Sequence, residues 1–271
     1  MNIALCFCVR NCEQYLKEIF INIDHLKTLN INVFSIFVYD NCNDNTKSIL
    51  ENYQINTDNV IIRNITNNNN LRTVRIANAR NECLKIVYNE LTNIKYHIMI
   101  DCDDVCTPRW DINIIDKYLN NFDNDNWDCI SFNLNNYYDI WALLVDDFKH
   151  HCWGFAENSS KVVKIMRAYI NDKLANCKTN SIEVMSAFNG FCIYKTDRFK
   201  GFHYDGSYSS FDPLITDVER ANVENWFKDV CDLNVKCDKN RQECCEHLFF
   251  HLNAFKQGRK IKISKFNVIQ N

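Results

Sequence analysis

Three closely spaced carboxylates follow an apolar run near the middle of the chain, in the sequence YHIMIDCDD at 96–104. The run has the length of a buried strand, and Asp101 and Asp103 come at its end. Aspartates at this spacing suit a hard divalent cation such as Mn²⁺ or Mg²⁺, which prefers oxygen ligands. Such a cation can bind a diphosphate and stabilise the charge that builds on it as it leaves. The alternative is a solvated acidic turn before the next helix.

Polar residues also follow the first two apolar runs of the chain. Arg10 comes after the first run and Asp40 after the second. An acidic residue at the end of the second strand can accept hydrogen bonds from the base or ribose of a nucleotide. An ordinary Asx-turn at Asp40 is the alternative.

Two arginines, Arg72 and Arg75, stand at the start of a long helical pattern. The first backbone N–H groups of a helix favour anions, and the planar guanidinium suits phosphate. A surface helix with scattered charges explains the same residues equally well.

A fourth cluster is the sequence ECCEHLFFH at 243–251. His247 and His251 are four residues apart and share a helical face, on which Glu243 is also expected. A carboxylate here, Glu246 in particular, is a candidate general base toward a sugar hydroxyl, and a histidine is a candidate metal ligand. The alternatives are two core histidines, or a structural zinc, although the paired C-x-x-C spacing is missing. The zinc donors would be Cys237, Cys244, Cys245, His247 and His251.

These groups need a scaffold, and the first part of the chain alternates between strand and helix patterns. Strands are predicted at 3–9, 33–39, 60–63 and 96–100, and helices at 12–29, from an Asp44 N-cap through Tyr53, and at 73–91. Such alternation indicates a parallel α/β sheet with helices on both faces. Because ligands gather at the carboxyl ends of such strands, Arg10, Asp40 and Asp101 are expected to converge on one crevice.

The second part of the chain is less regular. Strands are predicted at 130–134, 191–194 and 260–264, and an amphipathic helix at 242–256. Residues 145–185 are polar and helical in places, without a clear pattern. We expect one domain, residues 1–271.

Charge and composition exclude several classes of protein. Of the 271 residues, 31 are Lys or Arg and 34 are Asp or Glu, so neither nucleic acid nor an anionic membrane is an expected partner. No apolar stretch is long enough for a membrane span, and the fifteen cysteines without an export signal indicate reduced thiols in a cytoplasmic protein. No G-x-S-x-G, P-loop or G-x-G-x-x-G motif appears, which argues against a serine hydrolase, a P-loop kinase and a dinucleotide oxidoreductase.

Taken in order, the motifs resemble those of the GT-A glycosyltransferases. CFCVRNCEQYL is similar to the first strand and loop of that fold, VYDNCNDNT to its V-x-D-x-x-S-x-D-x-T segment, RIANARNECL to its A-x-A-R-N helix and IMIDCDD to its D-x-D motif. NNYYDIWAL, MSAFNGFCIYKTDRF and CEHLFFH resemble viral and fungal capsule-type, family 2-like transferases. A viral protein would lie in the host cytoplasm or the virion.

The resemblance implies a Rossmann-like GT-A fold with a mixed, mainly parallel sheet, in which 1–104 bind the nucleotide sugar and 105–271 the acceptor. It implies a hexosyltransferase that moves sugar from a UDP- or GDP-sugar to a glycan or glycoprotein acceptor with Mn²⁺ or Mg²⁺ as cofactor. With Glu246 as general base, we expect inversion at the anomeric carbon. The residues implied at the nucleotide sugar are Val9, Arg10, Asp40, Arg72, Arg75, Arg80, Asp101 and Cys102, and those implied at the metal are Asp101 and Asp103.

Two further sets of residues follow from the same resemblance. Many members place a metal-binding histidine after the last strand, where this chain reads KFNVIQN, so His247 and His251 are the candidates to replace it. The candidates for lining the sugar or acceptor site are Phe188, Asn189, Gly190, Trp141 and Trp153, with core packing as the alternative for both tryptophans.

Two other functions remain open at this point. A haloacid-dehalogenase-type phosphohydrolase also carries D-x-D after a strand, although Val105 stands where a threonine is expected. A catalytically inactive module that binds nucleotide sugars is the second.

Overall fold

The computed structural model describes residues 1–121, 126–134 and 136–270. Over these residues, eight strands form one sheet. The strands are β1 (Asn2–Val9), β2 (Asn32–Asp40), β3 (Val60–Ile65), β4 (Ile94–Asp101), β5 (Cys129–Asn133), β6 (Ser181–Val184), β7 (Phe191–Lys195) and β8 (Ile261–Asn267).

The strand order is β3-β2-β1-β4-β7-β5-β8-β6. The first four strands in this order run parallel, β7 is antiparallel to both of its neighbours, β8 is parallel to β5, and β6 is antiparallel at the edge. Cys8 lies opposite Asp101, and Val9 lies opposite Tyr39. The carboxyl ends of β1, β2 and β4 therefore meet at one edge of the sheet.

Helices cover both faces of this sheet. They are α1 (Glu13–Lys27), α2 (Thr46–Asn56), α3 (Arg72–Asn89), α4 (Ile112–Asp116), α5 (Ser159–Ala175), α6 (Thr196–Phe199), α7 (Tyr208–Phe211), α8 (Asp217–Cys231) and α9 (Glu246–Lys256). Alternate side chains of β1 enter different cores: Leu5 packs in the cluster that holds Leu16 of α1, and Cys6 packs in the cluster that holds Ala77 of α3. The predicted mixed, mainly parallel α/β fold with helices on both faces is confirmed.

The predicted strands and helices of residues 1–101 are present, with ends that shift by a few residues. Asp44 is not the N-cap of α2, which begins at Thr46 after Asn45, although the Asp44 carboxylate does accept from the Thr46 N–H at 3.1 Å. None of the helices in the described parts of the chain is long and apolar enough to cross a bilayer.

The second half departs further from the prediction. The helix predicted at 242–256 begins only at Glu246, because the preceding residues pair as an extended segment, with Glu243 opposite Ser207. Helix α8 was not predicted; it starts with a capping box in which the Thr216 hydroxyl and the Glu219 carboxylate each accept from the other's backbone N–H.

His97 of β4 gives the fold a measurable dependence on pH. It is fully buried, and burial lowers its pKa to about 3. In the unfolded chain the imidazole of His97 is protonated below about pH 6.5, whereas in the folded chain it stays neutral until about pH 3. The free energy of unfolding therefore falls as the pH drops from about 6.5 toward 3. We expect His97→Phe to reduce this loss by up to about 1.4 kcal/mol per pH unit.

Urea denaturation of both proteins between pH 7.5 and 4 measures the difference. At pH 7.5 both side chains are uncharged, so the difference there reports packing alone. Identical slopes below pH 6 would contradict the prediction.

Candidate active site

A cleft of about 510 Å³ opens at the carboxyl ends of β1, β2 and β4. It brings together residues from strand ends, from α3 and from the start of α9. The predicted residues that line it are Val9, Arg10, Asp40, Arg72, Arg75, Arg80, Asp101, Cys102, Asp103, Trp141, Phe188, Glu246 and His247.

The guanidinium of Arg80 joins three elements at the floor of the cleft. Its Nε donates to Glu246 Oε1 at 2.8 Å, and its Nη2 donates to Asp101 Oδ1 at 3.0 Å. Its charged carbon lies 4.6 Å from the centroid of the Phe188 ring. Burial alone would lower the pKa of Arg80, but Glu246 and Asp101 raise it above its ordinary value. Arg80 is therefore a permanent cation that ties α3 to β4 and α9.

Asp101 and Asp103 form the acidic part of the cleft. The Asp101 N–H donates to the Gly190 carbonyl at 2.9 Å, which fixes the end of β4, and Asp103 Oδ1 accepts from the Val105 N–H at 3.1 Å. Burial and then the charge of Asp101 raise the pKa of Asp103 to about 7. Two aspartates at the end of one strand, both lining the cleft, offer the carboxylate oxygens that a hard divalent cation prefers.

Asp40 lies at the other end of the cleft. Its side chain is buried, Oδ1 has no hydrogen-bond partner, and Oδ2 is 3.9 Å from Arg75 Nε. An unpartnered buried carboxylate oxygen is costly unless a ligand donates to it. Arg10 and Arg72, which also line this end, are exposed.

The start of α3 is covered by the chain itself. The Thr73 N–H and hydroxyl donate to Glu243 Oε2 at 3.2 and 2.9 Å. A Cβ on Gly206 would lie 2.3 Å from the Thr73 carbonyl carbon and 2.6 Å from the Val74 nitrogen. The expectation that Glu243 shares a helical face with His247 is wrong, because α9 begins three residues later.

Glu246 and His247 are the first two residues of α9, and both are almost fully buried. The His247 ring stacks on Phe188 with 3.9 Å between centroids, and neither ring nitrogen has a hydrogen-bond partner. Burial and then Arg80 lower the pKa of His247 well below its ordinary value. The ring is therefore neutral near pH 7, with one donor and one acceptor nitrogen.

The sequence model of the family described as Glycosyl transferase family 2 matches residues 5–165, more than half of the chain. The chain belongs to glycosyl transferase family 2. No curated protein matches the sequence.

Solved structures of S. aureus TarS share the family 2 chain's fold. The structure of TarS 1–349 is 11% identical with a TM-score of 0.50, and the match covers 99% of this chain and 59% of that one. The TarS 1–349 complex with UDP-GlcNAc is 12% identical with a TM-score of 0.50, covering 99% and 57% of the two chains. The complex with UDP is 13% identical with a TM-score of 0.51, covering 99% and 59%. Our chain thus spans less than two thirds of the TarS chains.

Four predicted residues of the family 2 chain lie outside the cleft lining: His251, Trp153, Asn189 and Gly190. His251 is fully buried behind it, with Nδ1 3.1 Å from the Ser186 hydroxyl and Nε2 2.9 Å from the Tyr194 hydroxyl. Both ring nitrogens thus have partners within the core. Trp153 is 39% exposed and also lies outside the lining.

Asn189 and Gly190 lie behind the cleft wall and support it. Asn189 Oδ1 accepts from the N–H groups of Tyr138 and Asp139 at 3.2 and 3.1 Å. Gly190 has φ +82°, and a Cβ there would lie 2.9 Å from the Tyr138 hydroxyl. Both residues therefore support the segment that forms the cleft wall.

The proposed zinc donors of the second half do not come together. Among the described residues, the group whose donor atoms lie within 4.8 Å of one another is Cys129, Cys192 and His251. Only His251 belongs to the predicted set.

Asp139 lines the cleft of this family 2 member and was not predicted. Burial and then the charge of Asp101 raise its pKa to about 7. Asp139 follows β5 by six residues, so a search for polar residues directly after strands passes over it. The aromatic-acidic run YYDIW at 137–141 was the available signal.

The Arg80 ion pairs predict a specific pattern of stability. Arg80→Met should destabilise the protein by about 3–5 kcal/mol, because it leaves the Glu246 carboxylate buried without its cation. Adding Glu246→Gln should restore part of that loss, since the buried charge is then removed. Urea denaturation at pH 7.5 measures both.

The exposed pair of Arg63 and Glu90, whose side chains are 40% and 37% exposed, provides the control. Arg63→Met should cost at most about 1 kcal/mol. If Arg80→Met with Glu246→Gln is no more stable than Arg80→Met alone, the buried charge of Glu246 is not the cause of the destabilisation.

Proposed function

We propose that this family 2 member transfers a sugar from a nucleotide-diphospho-sugar to a hydroxyl of a glycan or glycoprotein. The observation that carries the proposal is that one cleft holds three different polar groups. They are the Asp40 carboxylate with its unpartnered Oδ1, the pair Asp101 and Asp103, and the buried Arg80–Glu246 ion pair.

The Asp40 end of the cleft binds the nucleotide in this proposal. The free Oδ1 accepts from a base N–H or a ribose hydroxyl, and Arg10, Arg72 and Arg75 supply positive charge for the phosphates. The fold shared with TarS, which has been solved with UDP-GlcNAc and with UDP, supports UDP as the first nucleotide to test, and GDP as the second.

Asp101 and Asp103 would hold Mn²⁺ or Mg²⁺, which supplies positive charge to the leaving diphosphate when bound. Arg80 keeps Asp101 oriented through the 3.0 Å bond to Oδ1, and the Asp101 N–H bond to Gly190 holds its backbone.

Glu246 accepts the proton of the acceptor hydroxyl in this proposal. The hydroxyl oxygen forms a bond to the anomeric carbon while the bond from that carbon to the diphosphate oxygen breaks, which inverts the configuration. The Arg80 Nε donates to Oε1 of Glu246, which fixes the Glu246 carboxylate at the cleft wall. Membership of family 2 argues against the phosphohydrolase alternative. A measurement of catalytic activity distinguishes the transferase from an inactive module that only binds nucleotide sugars.

Asp103→Asn should abolish the metal-dependent part of nucleotide-sugar binding, because it removes a charged oxygen ligand of the cation. The measurement is the thermal shift produced by UDP- and GDP-sugars with and without Mn²⁺. Stabilisation that needs both ligands is expected in the natural protein and not in the variant.

Asp104→Asn is the matched control, since Asp104 is the adjacent exposed aspartate and does not line the cleft. It should keep the full shift. Retention of the metal-linked shift in Asp103→Asn would refute the role of Asp103.

Glu246→Gln should lower the rate of sugar transfer by about 10²–10⁴-fold, as expected for loss of a general base. Donor hydrolysis, with water as the acceptor, provides the assay before the acceptor is identified. Binding of UDP should persist in the variant, and the exposed Glu157→Gln should remain fully active. An unchanged rate in Glu246→Gln would assign the proton to another group.

A further inference from the structure

The order of the strands arranges the cleft along a line. β2, β1, β4 and β7 are consecutive neighbours, with Asp40 at the end of β2, Asp101 at the end of β4 and Asn189 just before β7. At a strand spacing of about 4.8 Å, Asn189 lies about 14 Å from Asp40 across the sheet, and Asp101 lies between them. If the nucleoside of a ligand binds at Asp40, the group attached beyond its diphosphate therefore lies near the start of β7.

The segment 138–141 forms the cleft wall on that side and is held firmly. Asp139 and Asn189 exchange hydrogen bonds: the Asp139 N–H donates to Asn189 Oδ1 at 3.1 Å, and the Asn189 N–H donates to Asp139 Oδ2 at 3.2 Å. Asn189 Nδ2 also donates to the Phe132 carbonyl at 2.9 Å. The position of the Asp139 carboxylate is thus set by the start of β7 and the end of β5.

This wall offers complementary polar atoms. Each Asp139 oxygen accepts from one backbone N–H, that of Ala142 at 3.2 Å or that of Asn189. In the described part of the chain no cationic side chain pairs with it. The Trp141 indole Nε1 is buried and has no hydrogen-bond partner. A carboxylate acceptor and an N–H donor suit sugar hydroxyls, which both donate and accept.

The charge on this side of the cleft is negative. Among the residues that line this side, Asp101, Asp139 and Glu246 share one guanidinium, that of Arg80, which is already bonded to two of them. Arg167 lies outside the lining and donates to the Tyr138 carbonyl at 3.2 Å. His247 adds no charge, because its pKa is lowered. Burial and then the charge of Asp101 raise the pKa of Asp139, so the cleft disfavours an additional negative charge beside it. A second carboxylate, brought by a ligand, would be less favourable still.

We propose that the segment Tyr138–Trp141 holds the transferred sugar and that Asp139 restricts it to neutral sugars with free hydroxyls, excluding uronic acids. The proposal rests on the proposed function, because it needs a nucleotide sugar in the cleft.

UDP-glucose and UDP-glucuronate test the proposal, since they differ only at C6, and GDP-mannose and GDP-mannuronate form the matching pair for a guanine nucleotide. Calorimetric titration at pH 8, where Asp139 is ionised, and with Mn²⁺ present gives the four Kd values. The natural protein should bind the neutral donor at least about tenfold more tightly, because like charges are juxtaposed in the other complex. Asp139→Asn should narrow that ratio about tenfold while the Kd for the free nucleoside diphosphate stays within about twofold.

Asp146→Asn is the matched control, since Asp146 is 88% exposed. It should leave the ratio unchanged. Trp141→Phe provides a second variant, which keeps an aromatic ring and removes the indole N–H together with one of the two fused rings. It should weaken binding of the neutral donor by about three- to tenfold without changing nucleoside diphosphate binding.

Equal affinity of the natural protein for both donors of a pair would overturn the proposal. So would an unchanged ratio in Asp139→Asn with nucleoside diphosphate binding intact. If Asp139→Asn does not fold, unchanged donor binding in Trp141→Phe has the same consequence. Failure of the natural protein to bind either UDP or GDP would instead refute the proposed function on which the inference rests.

Discussion

The buried guanidinium of Arg80 is the constraint on which the rest of the cleft depends. One side chain from α3 holds the last residue of β4 and the first residue of α9, so the positions of Asp101 and Glu246 are set together. Isolated charges are costly to bury, and the shared cation offsets that cost for the buried Glu246 carboxylate. The start of α9 is thereby fixed relative to the end of β4, although the two carboxylates are 145 positions apart in the sequence.

The sequence predicted the first half of the fold well because apolar periodicity and burial agree there. The strands that end at Val9, Asp40 and Asp101 are each buried and adjacent, so polar residues after them had to meet at one edge. Periodicity could not reveal where α9 begins, since the pairing of Glu243 with Ser207 is a tertiary contact. It also could not separate His247 in the cleft wall from His251 in the core, because both positions lie on the same helical face.

Asn189 and Gly190 do not line the cleft, but they support a loop segment that does. Asn189 holds that segment through its side-chain amide, and Gly190, with φ of 82°, leaves room for the Tyr138 hydroxyl. A search for polar residues directly after strands finds side chains at the edge of the sheet. It overlooks side chains on a loop that folds back over that edge. Asp139 belongs to the second kind, and its reciprocal hydrogen bonds with Asn189 become visible only in three dimensions.

The covering of the α3 start has a consequence for how anions are attracted to this cleft. With Glu243 on the Thr73 N–H and the Gly206 backbone against Val74, the positive pole of the helix is internally compensated. In the proposed function, attraction of the diphosphate then depends on the guanidinium groups of Arg10, Arg72 and Arg75, whose electric field dissolved ions screen over about 8 Å at physiological ionic strength. We therefore expect the affinity of this cleft for a diphosphate to fall with rising salt more steeply than in folds where a helix N-terminus binds the phosphate directly.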